Sequence, residues 1–119
     1  MSGYVNINRA LAYIEANLKE SISLTEVSRE SGMSKYYFAR TFKAFTGKTF
    51  KAYHNERRIE AAKVMLRKAD ARVTDVCFAV GFNDISYFCR LFQRFAGTSP
   101  SSYRKSHRPA TLSLLSQMQ

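Results

Sequence analysis

Apolar residues recur every three or four positions along most of the chain, which is the spacing of one face of an α-helix. Runs that alternate between apolar and polar residues are almost absent, and both Gly (5 residues) and Pro (2 residues) are scarce. The pattern therefore predicts an all-α fold with seven helices. Their predicted ranges are about 6–19, 24–31, 35–46, 50–68, 73–80, 84–96 and 100–108.

Residues that commonly start and end helices support these ranges. Ser23 followed three residues later by Glu26 is a capping-box pattern. Ser99 before Pro100 places proline at the first position of the last helix. The other predicted caps and helix ends are Gly32, Ser34, Gly47, Thr49, Gly81, either Asn83 or Asp84, and Gly97.

Two segments of the chain nearly repeat each other. GMSKYYFARTFKAFTGKTFKAY at 32–53 matches GFNDISYFCRLFQRFAGTSPSSYR at 81–104. Each copy reads as a helix, a turn containing glycine and a second helix, which is the helix-turn-helix plan. We therefore predict two helix-turn-helix subdomains joined by a long linker helix. The predicted boundaries are 1–48, 49–70 and 71–108, followed by a loose or weakly helical tail at 109–119.

The second helix of each copy has two contrasting faces when it is drawn at about 100° per residue. The face predicted to be buried carries Phe38, Phe42 and Phe45 in the first copy, and Phe88, Leu91, Phe92 and Phe95 in the second. The opposite face is small or polar and has an arginine at the same place in each copy. It carries Tyr36, Ala39, Arg40 and Lys43 in the first copy, and Ser86, Cys89, Arg90 and Gln93 in the second. Other predicted core residues are Leu11, Ile14, Leu18, Phe50, Tyr53, Ile59, Ala62 and Leu66.

Charge narrows the class of partner. The chain holds 19 Lys and Arg against 9 Asp and Glu, a net charge of +10, and both halves are basic. This favours a polyanion, either nucleic acid or an anionic membrane. A membrane-surface protein would leave its apolar helix faces to lipid, whereas here they are needed for two cores. We see no transmembrane run or signal peptide and expect a cytoplasmic protein without membrane contact.

Catalytic and metal-binding chemistry is not expected. Cys77 falls on an apolar helix face, and we predict that both cysteines, Cys77 and Cys89, are reduced. His54 and His107 lie in separate units of the chain, so the two thiols and two imidazoles do not form a convincing metal set. Asp84 is better explained as a helix cap. We therefore predict no enzyme activity, no metal and no cofactor.

The uncluttered outer faces suit the major groove of DNA, which admits a helix only if its contacting side chains allow close approach. Arg40 and Arg90 can each present a planar fork to guanine O6 and N7. The same arginines could instead contact phosphates, which position a protein without reading sequence, or simply be solvated. Lysines and hydroxyls at helix starts, and polar residues beside the outer faces, are candidate phosphate contacts: Lys35, Lys48, Thr49, Gln93, Arg94, Ser99 and Ser101.

The combined motif resembles the DNA-binding domain of the AraC/XylS family of bacterial transcription regulators. The resemblance covers about residues 8–106 and is strongest in VTDVCFAVGFNDISYFCRLFQRFAGTSPSSYR, with the linker RRIEAAKVML also matching. It implies that one monomer inserts two recognition helices, about 35–46 and 84–96, into neighbouring major grooves of double-stranded DNA. The family's base-contact positions correspond here to Tyr36, Ala39, Arg40, Lys43, Ile85, Ser86, Cys89 and Arg90.

The sequence leaves two other functions open. Larger family members carry a separate effector or dimerisation domain, so the chain could be an excised output domain rather than a stand-alone regulator. Its charge would also suit an architectural DNA binder indifferent to sequence. RNA polymerase is a second candidate partner, because activation needs a surface that contacts it. Apolar residues of the tail could dock elsewhere in a larger assembly, namely Leu112, Leu114, Leu115 and Met118.

Overall fold

The computed structural model describes residues 2–107, with side chains from Asn6 onward. This part of the chain contains seven helices, which confirms the predicted all-α fold. They are α1 (Ser2–Ala16), α2 (Leu24–Glu30), α3 (Lys35–Thr46), α4 (Phe50–Leu66), α5 (Val73–Ala79), α6 (Ile85–Ala96) and α7 (Pro100–Ser106). Only α1 departs by more than two residues from its predicted range, since it starts and ends earlier. The predicted tail lies outside the described residues.

Caps fix the length of the two repeated helices. The Ser34 hydroxyl accepts a hydrogen bond from the Tyr37 amide at 3.3 Å and starts α3. The Asp84 carboxylate accepts from the amides of Ser86 (2.9 Å) and Tyr87 (3.2 Å), so Asp84 and not Asn83 caps α6. Gly47 and Gly97 end these helices with φ values of 79° and 78°, a conformation that side chains with a Cβ disfavour. Each helix is therefore held to 12 residues.

The chain divides into two compact units, unit 1 (Met1–Arg57) and unit 2 (Arg58–Gln119). The division falls within α4, and the predicted division into subdomains, linker and tail stays a prediction. Unit 1 has its own core, in which α1, α2 and α3 pack against one another. Its buried apolar residues are Ile7, Ala10, Ile14, Ile22, Val27, Phe38 and Phe42. Phe50 and Tyr53 of α4 pack against this core, as predicted, and are partly buried.

One predicted core residue of unit 1 is not buried. Phe45 is 51% exposed, although it belongs to the same helical stripe as Phe38 and Phe42, which are fully buried. The stripe gives the correct angle around the helix axis, but burial also depends on where the neighbouring elements end along that axis. Phe45 lies in the last turn of α3, two residues before Gly47. The prediction that Phe45 belongs to the core was therefore wrong.

Unit 2 contains a second core built on the same plan. Its buried residues are Ile59, Ala62, Leu66, Val76, Cys77, Val80, Phe82, Phe88, Leu91, Phe92 and Tyr103. α6 packs against both α5 and α7. Phe95, the counterpart of Phe45, packs against this core and is partly buried. The Arg67 Nε donates to the Tyr103 hydroxyl (3.1 Å), and Arg104 donates to the Ala71 carbonyl (2.8 Å).

Polar contacts tie α4 to the rest of unit 1. The guanidinium of Arg57 makes a two-point ion pair with the Glu15 carboxylate, with N–O distances of 3.1 and 2.8 Å. Hydrogen bonding to Arg57 lowers the pKa of Glu15. His54 is buried, stacks on Phe50 and lies 3.2 Å from the Leu18 carbonyl through Nε2. These contacts connect the first half of α4 to α1 and to the turn that follows it.

Candidate nucleic-acid interface

The outer face of α3 follows directly from the burial of its phenylalanines. Phe38 and Phe42 face the core of unit 1, so residues on the opposite side of the helix lie at the surface. Tyr36, Arg40 and Lys43 are exposed there, and Ala39 is half-exposed between them. The four base-contact candidates predicted in unit 1 therefore share one face.

An open concavity of about 530 Å³ lies on this face. The lining residues are the four predicted candidates together with Ala44 and Thr49: Tyr36, Ala39, Arg40, Lys43, Ala44 and Thr49. The Thr49 hydroxyl accepts from the Ala52 amide at 3.2 Å and so caps α4. Ala44 was not predicted as part of this site. Its small side chain, one turn after Arg40, is the signal that could have identified it.

The outer face of α6 is less uniformly exposed. Ser86 and Arg90 are exposed, and Ile85 is 37% exposed at the first position of the helix. Cys89 is half-buried and packs against the core of unit 2. The predicted candidates of unit 2 are thus on one helix, but Cys89 offers less of its surface than the others. Contacts of any of these residues with DNA stay a prediction.

Both arginines on the outer faces lie over tyrosine rings, but the tyrosines occupy different positions. The Arg40 guanidinium is 5.6 Å from the centre of the Tyr36 ring, four residues earlier. The Arg90 guanidinium is 5.8 Å from the ring of Tyr87, three residues earlier. Tyr87 was not among the predicted site residues. The spacing of three residues to Arg90 could have identified it, because residues so spaced are neighbours on a helix surface.

The predicted phosphate-contact residues differ in whether their side chains already bind other groups of the protein. Lys35, Gln93, Arg94 and Ser101 are exposed. Lys48 forms an ion pair with Glu56. The Ser99 hydroxyl accepts from the Ser102 amide (3.1 Å) and donates to the Ser102 hydroxyl (3.0 Å), so its side chain is already used to cap α7.

The two cysteines are free thiols. Cys77 is fully buried, which confirms its predicted place in the core. Burial raises the pKa of the Cys77 thiol, and the nearby Cys89 and Asp84 raise it further. A raised pKa lowers the fraction of reactive thiolate at neutral pH.

Within residues 2–107, no helix combines the length and apolar character needed to cross a membrane. Across the same stretch, no three His, Cys, Asp or Glu side chains are grouped so that they could hold a metal ion.

The sequence of this chain is similar to those of known proteins. The profile of a family described as a helix-turn-helix domain matches residues 27–106. The chain is 32% identical over 109 residues to the regulatory protein PocR of Salmonella typhimurium and 38% identical over 103 residues to the transcriptional activator NphR of a Rhodococcus species. These alignments cover 87% and 86% of this chain, but only 36% and 30% of the relatives. The chain thus spans about a third of each relative's length.

A solved structure also resembles this chain closely. It is the DNA-binding domain of the global transcriptional factor AdpA in complex with a target DNA. The sequences are 25% identical, the TM-score is 0.79, and the alignment covers 84% of this chain and 90% of the other. The similarity therefore extends over nearly the whole of a domain that was solved on DNA.

Proposed function

Because this chain belongs to the helix-turn-helix domain family of AraC/XylS type, we propose that it binds double-stranded DNA sequence-specifically and regulates transcription. The observation that carries this proposal is the repeated recognition face. α3 and α6 each turn phenylalanines inward and an arginine outward at matching positions, Arg40 and Arg90. Two copies of one DNA-reading unit should each keep such an arginine on the outer face of the second helix.

We infer that α3 and α6 enter neighbouring major grooves of one DNA site. Helix-turn-helix proteins place their second helix in the major groove, and dimers contact half-sites about 34 Å apart. A duplicated unit in one chain removes the need for a second copy, so we propose one chain per site of about 20 base pairs. RNA polymerase remains a proposed second partner for activation. We further propose that the chain acts in the cytoplasm and has no enzyme activity.

The roles of the site residues follow from their chemistry. We assign base reading to Arg40 and Arg90, whose planar forks match guanine O6 and N7. Their neighbours on the two faces are proposed to complete the contact with bases: Tyr36, Ala39, Lys43, Ile85, Ser86 and Cys89. The phosphate backbone is proposed to lie against Lys35, Lys48, Thr49, Gln93, Arg94, Ser99 and Ser101.

A second candidate function is favoured by the length of the relatives. PocR and NphR are about three times as long as the part aligned with this chain. The chain could therefore be the DNA-binding output domain of a larger regulator, with its activity controlled by residues outside this sequence. A bound signal would then alter DNA binding only in the longer protein.

The direct test is selection of bound sequences from a random duplex library at a stated salt concentration. A sequence-specific regulator should recover one motif with two separated blocks of preferred bases. It should also bind that motif at least about 10³-fold more tightly than random duplex. Recovery of no motif would refute sequence reading and favour an architectural binder.

Substitution of the two arginines tests the base-reading assignment. Arg90→Ala should weaken binding to the selected site by about 1–3 kcal/mol and relax preference at one or two base pairs. Arg40→Ala should do the same about one helical turn away. Arg94→Ala is the matched control, because a phosphate contact should weaken binding on every sequence equally. Relaxation of the same base pairs by R40A and R90A would contradict the two-groove proposal.

Salt dependence and stoichiometry test the monomer proposal. If one chain neutralises about 6–8 phosphates, log affinity should fall against log salt with a slope of roughly −5 to −7. Analytical ultracentrifugation should find one chain on each minimal site. A requirement for two chains would overturn the monomer proposal. It would support the alternative that this chain is part of a dimeric regulator.

A further inference from the structure

Four side chains of unit 2 form one continuous series, with an arginine at each end and two aromatic rings between them. The Arg58 guanidinium lies 5.3 Å from the centre of the Phe82 ring. Phe82 and Tyr87 meet edge to face, with ring centres 6.1 Å apart and planes at 66°. The Arg90 guanidinium then lies 5.8 Å from the Tyr87 ring. We call this series the Arg58–Arg90 column.

The column runs from the interior of unit 2 to its surface. Arg58 and Phe82 are only 7% and 5% exposed, Tyr87 is half-buried, and Arg90 is exposed. Phe82 also packs against the fully buried Phe88, with ring centres 5.4 Å apart. The Tyr87 ring is therefore held from below by residues that belong to the core. Arg90 thus rests on a ring with little freedom to move.

The equivalent arginine of unit 1 has a different support. Arg40 lies over Tyr36, which is 74% exposed. The residue aligned with Tyr87 is Tyr37, which is itself 54% exposed. The repeat therefore conserves the arginine but not its support.

An arginine held on a half-buried ring should read DNA differently from one held on an exposed ring. A long arginine side chain loses much of its rotational freedom when its fork binds a base, and less if the fork is already oriented. Stacking on an aromatic face leaves the edge of the guanidinium open, so its N–H groups can still donate to guanine. An aromatic ring beneath the guanidinium thus favours specific binding, although the ring itself makes no contact with DNA.

We propose that Tyr87 is a positioning residue that holds Arg90 ready for base reading, with Phe82 and Arg58 holding Tyr87 in place. This inference rests on the proposed function, because it assigns Arg90 to a base. Under it, unit 2 reads its bases with a preorganised arginine, and unit 1 reads with one that becomes ordered on binding.

A double-mutant cycle on the selected duplex tests this proposal. Tyr87→Leu removes the ring, and it should weaken binding about threefold to tenfold on the selected site while leaving random-duplex affinity unchanged. Tyr87→Phe keeps the ring and should retain most of the specific affinity. In an Arg90→Ala background, Y87L should have no further effect, because the residue it positions is gone. Tyr37→Leu in unit 1, at the position aligned with Tyr87, is the matched comparison and should cost less, because Tyr37 is 54% exposed and has no assigned contact with DNA.

A measurement without DNA separates this proposal from the function on which it rests. Nuclear magnetic resonance relaxation of the arginine Nε–H groups in the free wild-type protein should find Arg90 more ordered than Arg40. Ordering of Arg90 without any selected motif would support the column and refute the proposed function. A selected motif together with equal mobility of the two arginines, or an equal effect of Y87L with and without Arg90, would overturn the positioning role. The relaxation result stands even if Y87L fails to fold.

Discussion

Truncation of Phe42 to alanine should remove much of the stability of unit 1. Phe42 is fully buried, and its ring centre lies 5.3 Å from that of Phe38, 6.2 Å from Phe50 and 5.4 Å from Tyr53. Removing such a side chain costs the transfer free energy of the ring and leaves a cavity, in total about 3–5 kcal/mol. At roughly 0.05–0.15 kcal/mol per residue, a unit of this size has about 3–9 kcal/mol of stability. Phe42→Ala should therefore bring unit 1 close to unfolding.

The matched control is Phe45→Ala, in the same helix and on the same predicted stripe. Because Phe45 is 51% exposed, its truncation should cost only about 1 kcal/mol. Urea unfolding followed by far-ultraviolet circular dichroism measures both variants, and the midpoint shift at constant slope gives the change in free energy. If F42A does not fold at all, Phe42→Leu should still fold with a smaller loss of about 1–2 kcal/mol.

Equal losses for F42A and F45A would refute this reasoning, and so would an unchanged midpoint for F42A. Either result would mean that the register of α3 is wrong. The base-contact assignments in unit 1 depend on that register, because Tyr36, Arg40 and Lys43 face outward only if Phe42 faces inward. The same stability measurement therefore checks the geometry of the candidate interface without any DNA.

Asp84→Ala removes the cap of α6 and should cost about 1 kcal/mol in urea unfolding, whereas Asn83→Ala should change stability little. The pKa of Glu15 is lowered in the folded protein. The ion pair of Glu15 with Arg57 therefore stabilises the folded state above the ordinary glutamate pKa of 4.5, and this stabilisation is lost as pH falls through the lowered pKa. Glu15→Gln should therefore be less stable than wild type at pH 7, by at most about 1 kcal/mol for so exposed a pair, and the difference should shrink below pH 4.5 in acid titrations. Cys77 should react slowly with a thiol reagent in the native protein and at an ordinary rate in urea; fast labelling of the native protein would contradict the burial of Cys77.

Most of the fold could be predicted from the sequence because helix signals here are local. Periodicity gives the angle of each side chain around its own helix, and caps such as Ser34 and Asp84 give the ends. Phe45 shows the limit of prediction from helical spacing. Its angle is that of a core residue, but its burial depends on how far the neighbouring elements extend along α3. That information is carried by tertiary packing and not by the segment itself.

The sequence predicted those features of the candidate site that lie on a single helix. The outward face of α3 follows from the position of its phenylalanines, and the concavity beside it involves Thr49 from the start of α4. Tyr87, which supports Arg90 directly, lies in the same helix and could have been identified from its spacing, but the residues behind it, Arg58 and Phe82, lie outside α6. A pattern search along one helix cannot detect a contact that passes through three separate segments.

The outer faces of α3 and α6 differ in composition. If both faces read one DNA site, this difference determines the form of the site. A symmetric dimer presents the same face twice and is satisfied by a palindrome, which looks the same from either direction. Here one face carries Tyr36, Ala39 and Lys43 around its arginine, and the other carries Ile85, Ser86 and Cys89. A site matched to both faces would have unlike halves and so a left and a right end. Binding would then place the protein in a single orientation, and each half could diverge in evolution without requiring the other to change.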